Sequence, residues 1–118
     1  MGIPYKSQRT FEQRCIESRS IRQKYPHRYP FIIEKAQHAQ STVPDVDKMK
    51  YLIPTDYTMG HFITLFRRNI KVPPETAIFF FCNNTLPMTG TLMSEIYHQF
   101  KDADGFAYLQ YTGESTFG

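Results

Sequence analysis

The chain contains no tryptophan and only two cysteines, Cys15 and Cys82. Two cysteines so far apart are too few for a metal motif and offer no disulfide framework. The sequence also lacks any apolar run near the ~18 residues that a membrane span needs, and its polar N-terminus lacks the apolar segment of a signal peptide. We therefore expect a cytosolic protein whose two cysteines are free thiols.

Size and composition suit one soluble domain. With 118 residues, 41% hydrophobic and 21% charged, the chain is long enough to bury a single core without a disulfide or metal. Cys82 ends the apolar run 78–81, where a cysteine acts as a small core residue more often than as a nucleophile. A small cysteine enzyme is one alternative class, and it would need Cys82 as its nucleophile. The histidines at 27, 38, 61 and 98 follow no metal-ligand spacing, and we expect them at the surface.

The positive charge is concentrated at the N-terminal end. Residues 1–35 hold eight Lys and Arg against three Glu, a balance of +5, whereas residues 36–118 hold six against eight acidic residues, a balance of −2. Such a basic surface suits acidic peptides, anionic lipid headgroups or nucleic acid, or it is simply a solvated helix face. A basic nucleic-acid-binding α+β module is the alternative function. It lacks an RNP-like strand pattern, and the block Phe79–Phe81 is expected to be buried.

The first half of the chain predicts one helix and two strands. Phe11, Cys15, Ser18, Ile21 and Tyr25 recur at helical spacing and predict an amphipathic helix over 11–25, with Ile16 outside the arc. Two prolines then end the helix, and residues 29–35 read as a strand. Residues 36–47 are polar and form a loop, and a short second strand over 50–53 is closed by a proline that is best tolerated at a sheet edge.

The second half predicts two helices and two strands. Apolar positions from Met59 to Ile70 follow helical spacing. The continuous apolar run Thr76–Cys82 predicts a central strand covered on both faces. Thr91 is expected to cap the next helix, and residues 105–111 form the last strand.

The element order, helix, strand, strand, helix, strand, helix, strand, favours an α+β β-grasp sheet. In that sheet an N-terminal hairpin and the final strand lie side by side, with a helix packed across them. A ferredoxin-like order needs a helix between the first two strands, and the segment 36–47, with Pro44 and few apolar residues, does not supply one.

Seven blocks in the same order resemble the autophagy ubiquitin-like modifiers of the GABARAP type and their relatives. Each block alone is weak, but together they span nearly the whole chain. They are TFEQR (10–14), 21–25, 34–35, DKMKYLIP (47–54), FFFCNN (79–84), DGFAY (104–108) and ESTFG (114–118).

The resemblance implies a fold and a covalent chemistry. The fold is a ubiquitin-like β-grasp with additional N-terminal helices, divided into a helical extension (1–27), a core (28–113) and a flexible conjugation tail (114–118). A cysteine protease that reads Phe117 trims such chains after the glycine, here Gly118. Activating and conjugating enzymes then join that carboxylate to phosphatidylethanolamine on autophagosomal membranes. The chain itself is expected to be no enzyme and to hold no metal or cofactor apart from that covalent lipid.

The resemblance also implies a docking groove for cargo-receptor peptides that carry an aromatic residue, two spacers and an aliphatic residue. The strand 50–53 is short enough to be an open edge that accepts an added strand. The groove is expected to have two pockets and a set of basic residues that meet acidic flanks of the peptide. The aromatic pocket takes Glu17, Ile21, Pro30, Ile32, Lys50, Leu52 and Phe106; the aliphatic pocket takes Tyr51, Ile53, Pro54, Tyr57, Phe62, Leu65 and Phe66; the basic residues are Arg28, Lys48 and Arg67, with Lys50.

Overall fold

The computed structural model describes residues 3–36, 43–46 and 48–113. It contains four helices and four strands within these ranges. In chain order they are α1 (Tyr5–Gln8), α2 (Phe11–Lys24), β1 (Arg28–Lys35), β2 (Lys50–Pro54), α3 (Met59–Ile70), β3 (Phe79–Phe81), α4 (Met93–Phe100) and β4 (Ala107–Thr112).

The strands form one mixed sheet in the order β2-β1-β4-β3. β1 pairs antiparallel with β2 and parallel with β4, and β4 pairs antiparallel with β3. The N-terminal hairpin and the final strand therefore share the sheet, which confirms the predicted ubiquitin-like β-grasp with additional N-terminal helices. The proposed boundaries of the helical extension, core and tail stay a prediction.

Helices cover both faces of the sheet. Successive residues of a strand point to opposite faces, so β1 sends Phe31 and Ile33 into the main core and Ile32 into a smaller cluster behind it. The main core includes Phe62 and Phe66 of α3 and residues of α4, whereas the smaller cluster includes residues of α1 and α2. Because both its faces are covered, the central part of β1 is an almost unbroken buried run.

Local capping fixes where the two longest helices begin. The Thr10 hydroxyl accepts from the backbone N–H of Gln13 at 3.1 Å, and the Gln13 side chain accepts from the Thr10 N–H at 2.9 Å. Thr58 and His61 repeat this reciprocal arrangement at the start of α3, with the imidazole Nδ1 as the returning acceptor. Each capping box satisfies N–H groups that a helix N-terminus leaves without a partner.

α2 faces the sheet with only part of the arc that its spacing predicts, because Ser18 and Ile21 pack inward whereas the two ends of the arc are exposed. Phe11 and Tyr25 are 51% and 39% exposed, whereas Arg14 and Ser18 are buried. Both buried side chains bond to Asp104 in the turn before β4: Arg14 Nη1 lies 2.5 Å from the carboxylate, and Ser18 Oγ donates to the Asp104 carbonyl at 2.5 Å. The helix is thus held to the sheet through polar groups, of which Arg14 lies outside the predicted arc.

Two further predictions about local structure are wrong. The run Thr76–Cys82 forms a strand only over Phe79–Phe81, and this strand lies at the sheet edge instead of the centre. A continuous apolar run indicates that both faces are covered, and helices can cover both faces of an edge strand. The N-cap of α4 is Leu92, without a side-chain cap, instead of Thr91. The Thr91 carbonyl instead accepts from the Met59 N–H at 2.8 Å and joins this loop to the start of α3.

Candidate functional site

β2 presents an open backbone edge. It is the outermost strand of the sheet, next to β1. Just beyond its two ends lie hydrogen bonds to the β1 side: the Ile33 N–H donates to the Met49 carbonyl (2.7 Å), and the Thr55 N–H donates to the His27 carbonyl (3.0 Å). Pairs alternate along an antiparallel ladder, so the N–H and carbonyl groups of Lys50 and Leu52 point away from β1. Pro54 offers no N–H and ends this run of donors.

The seven residues of the predicted aromatic pocket lie together on the α1 and α2 side of the hairpin. Pro30 stands opposite Leu52 in the strand register, and Ile32 stands opposite Lys50. Ile32 and Phe106 have no exposed surface and form the floor. Leu52 is half-buried, and Ile21 packs against this floor. Glu17 and Lys50 form an ion pair at the rim of the pocket.

Tyr5 of α1 is a member of this cluster that the sequence analysis missed. It is buried, its ring meets Phe106 edge-on at 5.6 Å, and its hydroxyl donates to the Glu17 carboxylate. Burial raises the pKa of Tyr5, and the neighbouring Glu17 raises it further, so the hydroxyl stays a donor. A four-residue helix is too short to show a periodic apolar pattern, so no sequence signal marked Tyr5.

Glu17 links this cluster to the β2 edge. Its carboxylate accepts hydrogen bonds from Lys50 Nζ and the Tyr5 hydroxyl, and Arg9 Nε lies 3.9 Å away. Burial alone raises the pKa of Glu17, but the hydrogen bonds from Lys50 and Tyr5 outweigh it and bring the pKa below its ordinary value. Glu17 is therefore held ionised beside the edge strand.

The predicted aliphatic pocket divides between core and half-buried positions. Tyr51 and Ile53 point to the opposite face from Leu52, and they lie with Phe62 and Phe66 in the main core. The Tyr51 ring meets the Phe62 ring edge-on at 5.6 Å. The remaining three members, Pro54, Tyr57 and Leu65, are half-buried, and of these Tyr57 packs against that core.

The predicted basic residues differ in what they contact. Lys48 is exposed, with its ammonium 5.0 Å from the centre of the Tyr51 ring, and it lines a cavity of about 480 Å³ beside β2. Arg67 donates to the Pro73 carbonyl at 2.8 Å and so holds the loop after α3. Arg28 is exposed and donates to the Leu52 carbonyl at 3.1 Å. The Lys50 ammonium forms an ion pair with the Glu17 carboxylate.

Comparison with known proteins agrees with this geometry. The family model for "Autophagy protein Atg8 ubiquitin like" matches residues 13–118. The chain belongs to the Atg8 family. Autophagy-related protein 8 of Candida glabrata is 51% identical over 118 residues, covering 100% of this chain and 98% of the relative. Autophagy-related protein 8a of Arabidopsis thaliana is 54% identical over 114 residues, covering 97% of this chain and 92% of the relative.

Solved structures of the Atg8 family superpose closely on this chain. Trypanosoma brucei ATG8 gives a TM-score of 0.89 at 36% identity, with full coverage of both chains. Plasmodium falciparum Atg8, solved in complex with a Plasmodium falciparum Atg3 peptide, also gives 0.89, at 34% identity, and covers 98% of this chain and 100% of that one. The family assignment thus rests on sequence and structure together.

In this Atg8 family member the candidate nucleophile Cys82 and two of the three phenylalanines at 79–81 are buried. Cys82 has no exposed surface, donates to the Tyr108 carbonyl at 3.3 Å, and has its pKa raised by burial to about 12. A thiol in that state is a poor nucleophile. Phe80 and Phe81 are buried, as expected, and are removed as stacking surfaces for nucleic-acid bases, whereas Phe79 is half-buried.

Three expectations concern metal ions, membranes and the C-terminus. Within the described ranges no three His, Cys, Asp or Glu side chains cluster as metal ligands. No helix among those residues is long and apolar enough to cross a membrane. Phe117 and Gly118 lie outside the described residues.

Proposed function

We propose that this chain is a ubiquitin-like modifier that binds aromatic-x-x-aliphatic peptides along β2 and is conjugated through Gly118 to phosphatidylethanolamine on autophagosomal membranes. The carrying observation is the outward-facing backbone of Lys50 and Leu52 at the sheet edge. This backbone edge lies between the smaller apolar cluster on one face of the sheet and the main core on the other. The Atg3 peptide bound to the Plasmodium falciparum relative supports a short peptide as the ligand class.

Docking proceeds by strand addition. The edge offers two N–H groups and two carbonyls, from Lys50 and Leu52, to the backbone of an extended peptide. Side chains of an added strand alternate between faces, so one anchor reaches the cluster around Ile32 and Phe106 and another reaches Tyr57, which packs against the main core. The backbone bonds provide affinity, and the two pockets provide the choice of aromatic and aliphatic side chains.

Charge refines this choice. Lys48 is exposed beside the start of β2, and Arg28 lies beside its far end. Acidic residues on either flank of the peptide meet these cations, which raises the association rate more than the final affinity. Arg67 contributes in the same way if its guanidinium leaves the Pro73 carbonyl, and Lys50 contributes at the cost of its pair with Glu17.

Conjugation is the second half of the proposal. A processing cysteine protease recognises Phe117, and an activating enzyme uses ATP to convert the Gly118 carboxylate to an acyl adenylate with release of pyrophosphate. An enzyme thiol then displaces AMP, and the acyl group passes through thioesters to the lipid amine, which forms the amide and releases the last thiol. The two acyl chains of the lipid then hold the protein on the membrane far more firmly than one chain does. The chain acts as the conjugated partner and catalyses nothing, and it moves from the cytoplasm to the autophagosome membrane when lipidated.

Calorimetry with an aromatic-x-x-aliphatic peptide tests the groove. Leu52→Ala removes pocket contacts and is expected to weaken binding by ~1 to 3 kcal/mol without unfolding the domain. Leu86→Ala is the matched control, because Leu86 is 50% exposed in the loop after β3. Equal affinity of wild type and Leu52→Ala would show that the groove lies elsewhere.

A reconstituted lipidation reaction tests the tail. Gly118→Ala and deletion of Gly118 are expected to abolish conjugation while leaving peptide affinity unchanged, because the tail and groove act separately. Full conjugation of either variant would refute the assignment of Gly118. The matched control is Gly90→Ala, at a position where an added Cβ meets no atom within 4 Å.

A further inference from the structure

One of the edge groups of β2 already has an intramolecular partner. Arg28 Nη1 donates to the carbonyl of Leu52 at 3.1 Å. That carbonyl points away from β1, in the direction from which an added strand would approach. It is therefore one of the four backbone groups on which strand addition depends, and a side chain of the protein occupies it.

The backbone that carries Arg28 is held in place. The Arg28 carbonyl accepts from Arg22 Nη1 at 2.9 Å, and the same Arg22 atom donates to the Pro26 carbonyl at 3.3 Å. The Arg22 guanidinium also lies 4.2 Å from the centre of the Tyr29 ring. The side chain of Arg28 is exposed, so its guanidinium can leave Leu52 while its backbone stays fixed.

Arg28 also lies beside the position where the β2 edge has no further backbone N–H donor. In the strand register it is opposite Pro54, which has no N–H. An added strand that passes Leu52 therefore finds no further backbone donor at Pro54, and the guanidinium is the nearest group for its next acceptor. A carboxylate suits that place better than a neutral group, because charge-assisted hydrogen bonds are roughly twice as strong as neutral ones.

We propose that the Arg28 side chain covers the Leu52 carbonyl in the free protein and makes strand addition selective for peptides that carry a carboxylate at that end. The carboxylate of an acidic peptide replaces the Leu52 carbonyl as the hydrogen-bond acceptor of Arg28. The carbonyl is then free to accept from the backbone of the added strand. A neutral peptide must displace Arg28 and offers it no comparable acceptor. The inference rests on the proposed peptide docking and assigns Arg28 a role in selection beyond that of a charge on the flank.

Two peptides and three proteins test it. The peptides share one aromatic-x-x-aliphatic sequence and differ only in flanking residues, glutamate in one and glutamine in the other. The proteins are wild type, Arg28→Ala and the control Arg19→Ala, which removes the same charge from an exposed position of α2. We expect Arg28→Ala to bind the glutamine peptide about 3- to 10-fold more tightly than wild type, the range of one ordinary hydrogen bond. Its preference for the glutamate peptide should fall, whereas Arg19→Ala should leave both unchanged to within a small common factor.

The outcomes separate the two proposals. If both peptides bind wild type and Arg28→Ala binds the glutamine peptide no more tightly than wild type does, the proposed cover of the Leu52 carbonyl by Arg28 is refuted. Peptide docking at the β2 edge is then still supported. If neither peptide binds wild type, the docking edge and the cover are both refuted. A peptide-free measurement adds a direct check: the carbonyl carbon resonance of Leu52 should move between free wild type and folded Arg28→Ala, and an unmoved resonance would contradict the cover.

Discussion

The guanidinium of Arg14 lies 2.5 Å from a carboxylate oxygen of Asp104, and both side chains are almost fully excluded from solvent. The same oxygen accepts from the Tyr108 hydroxyl at 2.5 Å, and the other accepts from the Phe106 N–H at 2.8 Å. This network joins α2 to the start of β4, and so it places Glu17 and Ile21 over the smaller apolar cluster. The position of the candidate aromatic pocket therefore depends on the polar contact between Arg14 and Asp104.

Asp104→Asn is expected to destabilise the protein by about 3 kcal/mol, because it leaves the buried Arg14 charge without its counter-ion. Chemical unfolding measures this change. Lys6→Ala is the comparison, since Lys6 pairs with Asp102 at 2.8 Å while about half of its side chain is exposed, and it should cost less than about 1 kcal/mol. Equal costs for the two substitutions would contradict a buried role for the Arg14 pair.

Gly105→Ala is expected to cost about 2 kcal/mol or more. Gly105 has φ +91°, which L side chains rarely adopt, and an added Cβ would lie 2.3 Å from Ser18 Oγ. Thermal or urea unfolding checks it against Gly90→Ala, where the added Cβ meets nothing within 4 Å and the change should stay within about 0.5 kcal/mol. A Gly105→Ala protein as stable as Gly90→Ala would show that α2 packs less closely on this turn.

Glu17→Gln is expected to have a pH-dependent cost. Although burial opposes ionisation, the hydrogen bonds from Lys50 and Tyr5 hold the pKa of Glu17 below its unfolded value. A carboxylate with a lowered folded pKa stabilises the fold above its unfolded pKa, and this contribution is lost as the pH falls through the folded pKa. The difference in unfolding free energy between wild type and variant should therefore be largest near neutral pH and shrink in acid. A constant difference across that range would argue against the ionised Glu17.

The sequence predicted the parts of the fold that depend on apolar periodicity. α3 begins at Met59 and ends at Ile70 as its spacing indicates, and the strand predicted over residues 29–35 is observed as β1. The edge position of β2 also followed from sequence, since its closing proline, Pro54, suits an edge strand.

Polar contacts and sheet position were not predictable in this way. The predicted inward arc of α2 includes Ser18 but not Arg14, because a charged side chain counts as outward-facing in an apolar pattern. Tyr5 lies in a helix too short to have a period. The bond from Arg28 to Leu52 joins residues 24 positions apart through a long side chain, and no spacing rule reports such a contact.

Hydrogen exchange of the four β2 amides tests the docking edge most directly. The N–H groups of Tyr51 and Ile53 point toward β1, whereas those of Lys50 and Leu52 point toward the open edge. Without peptide, Tyr51 and Ile53 should exchange slowly, and Lys50 and Leu52 quickly. With an aromatic-x-x-aliphatic peptide bound, Lys50 and Leu52 should become protected. Peptide binding that leaves those two amides exchanging as before would contradict strand addition at β2.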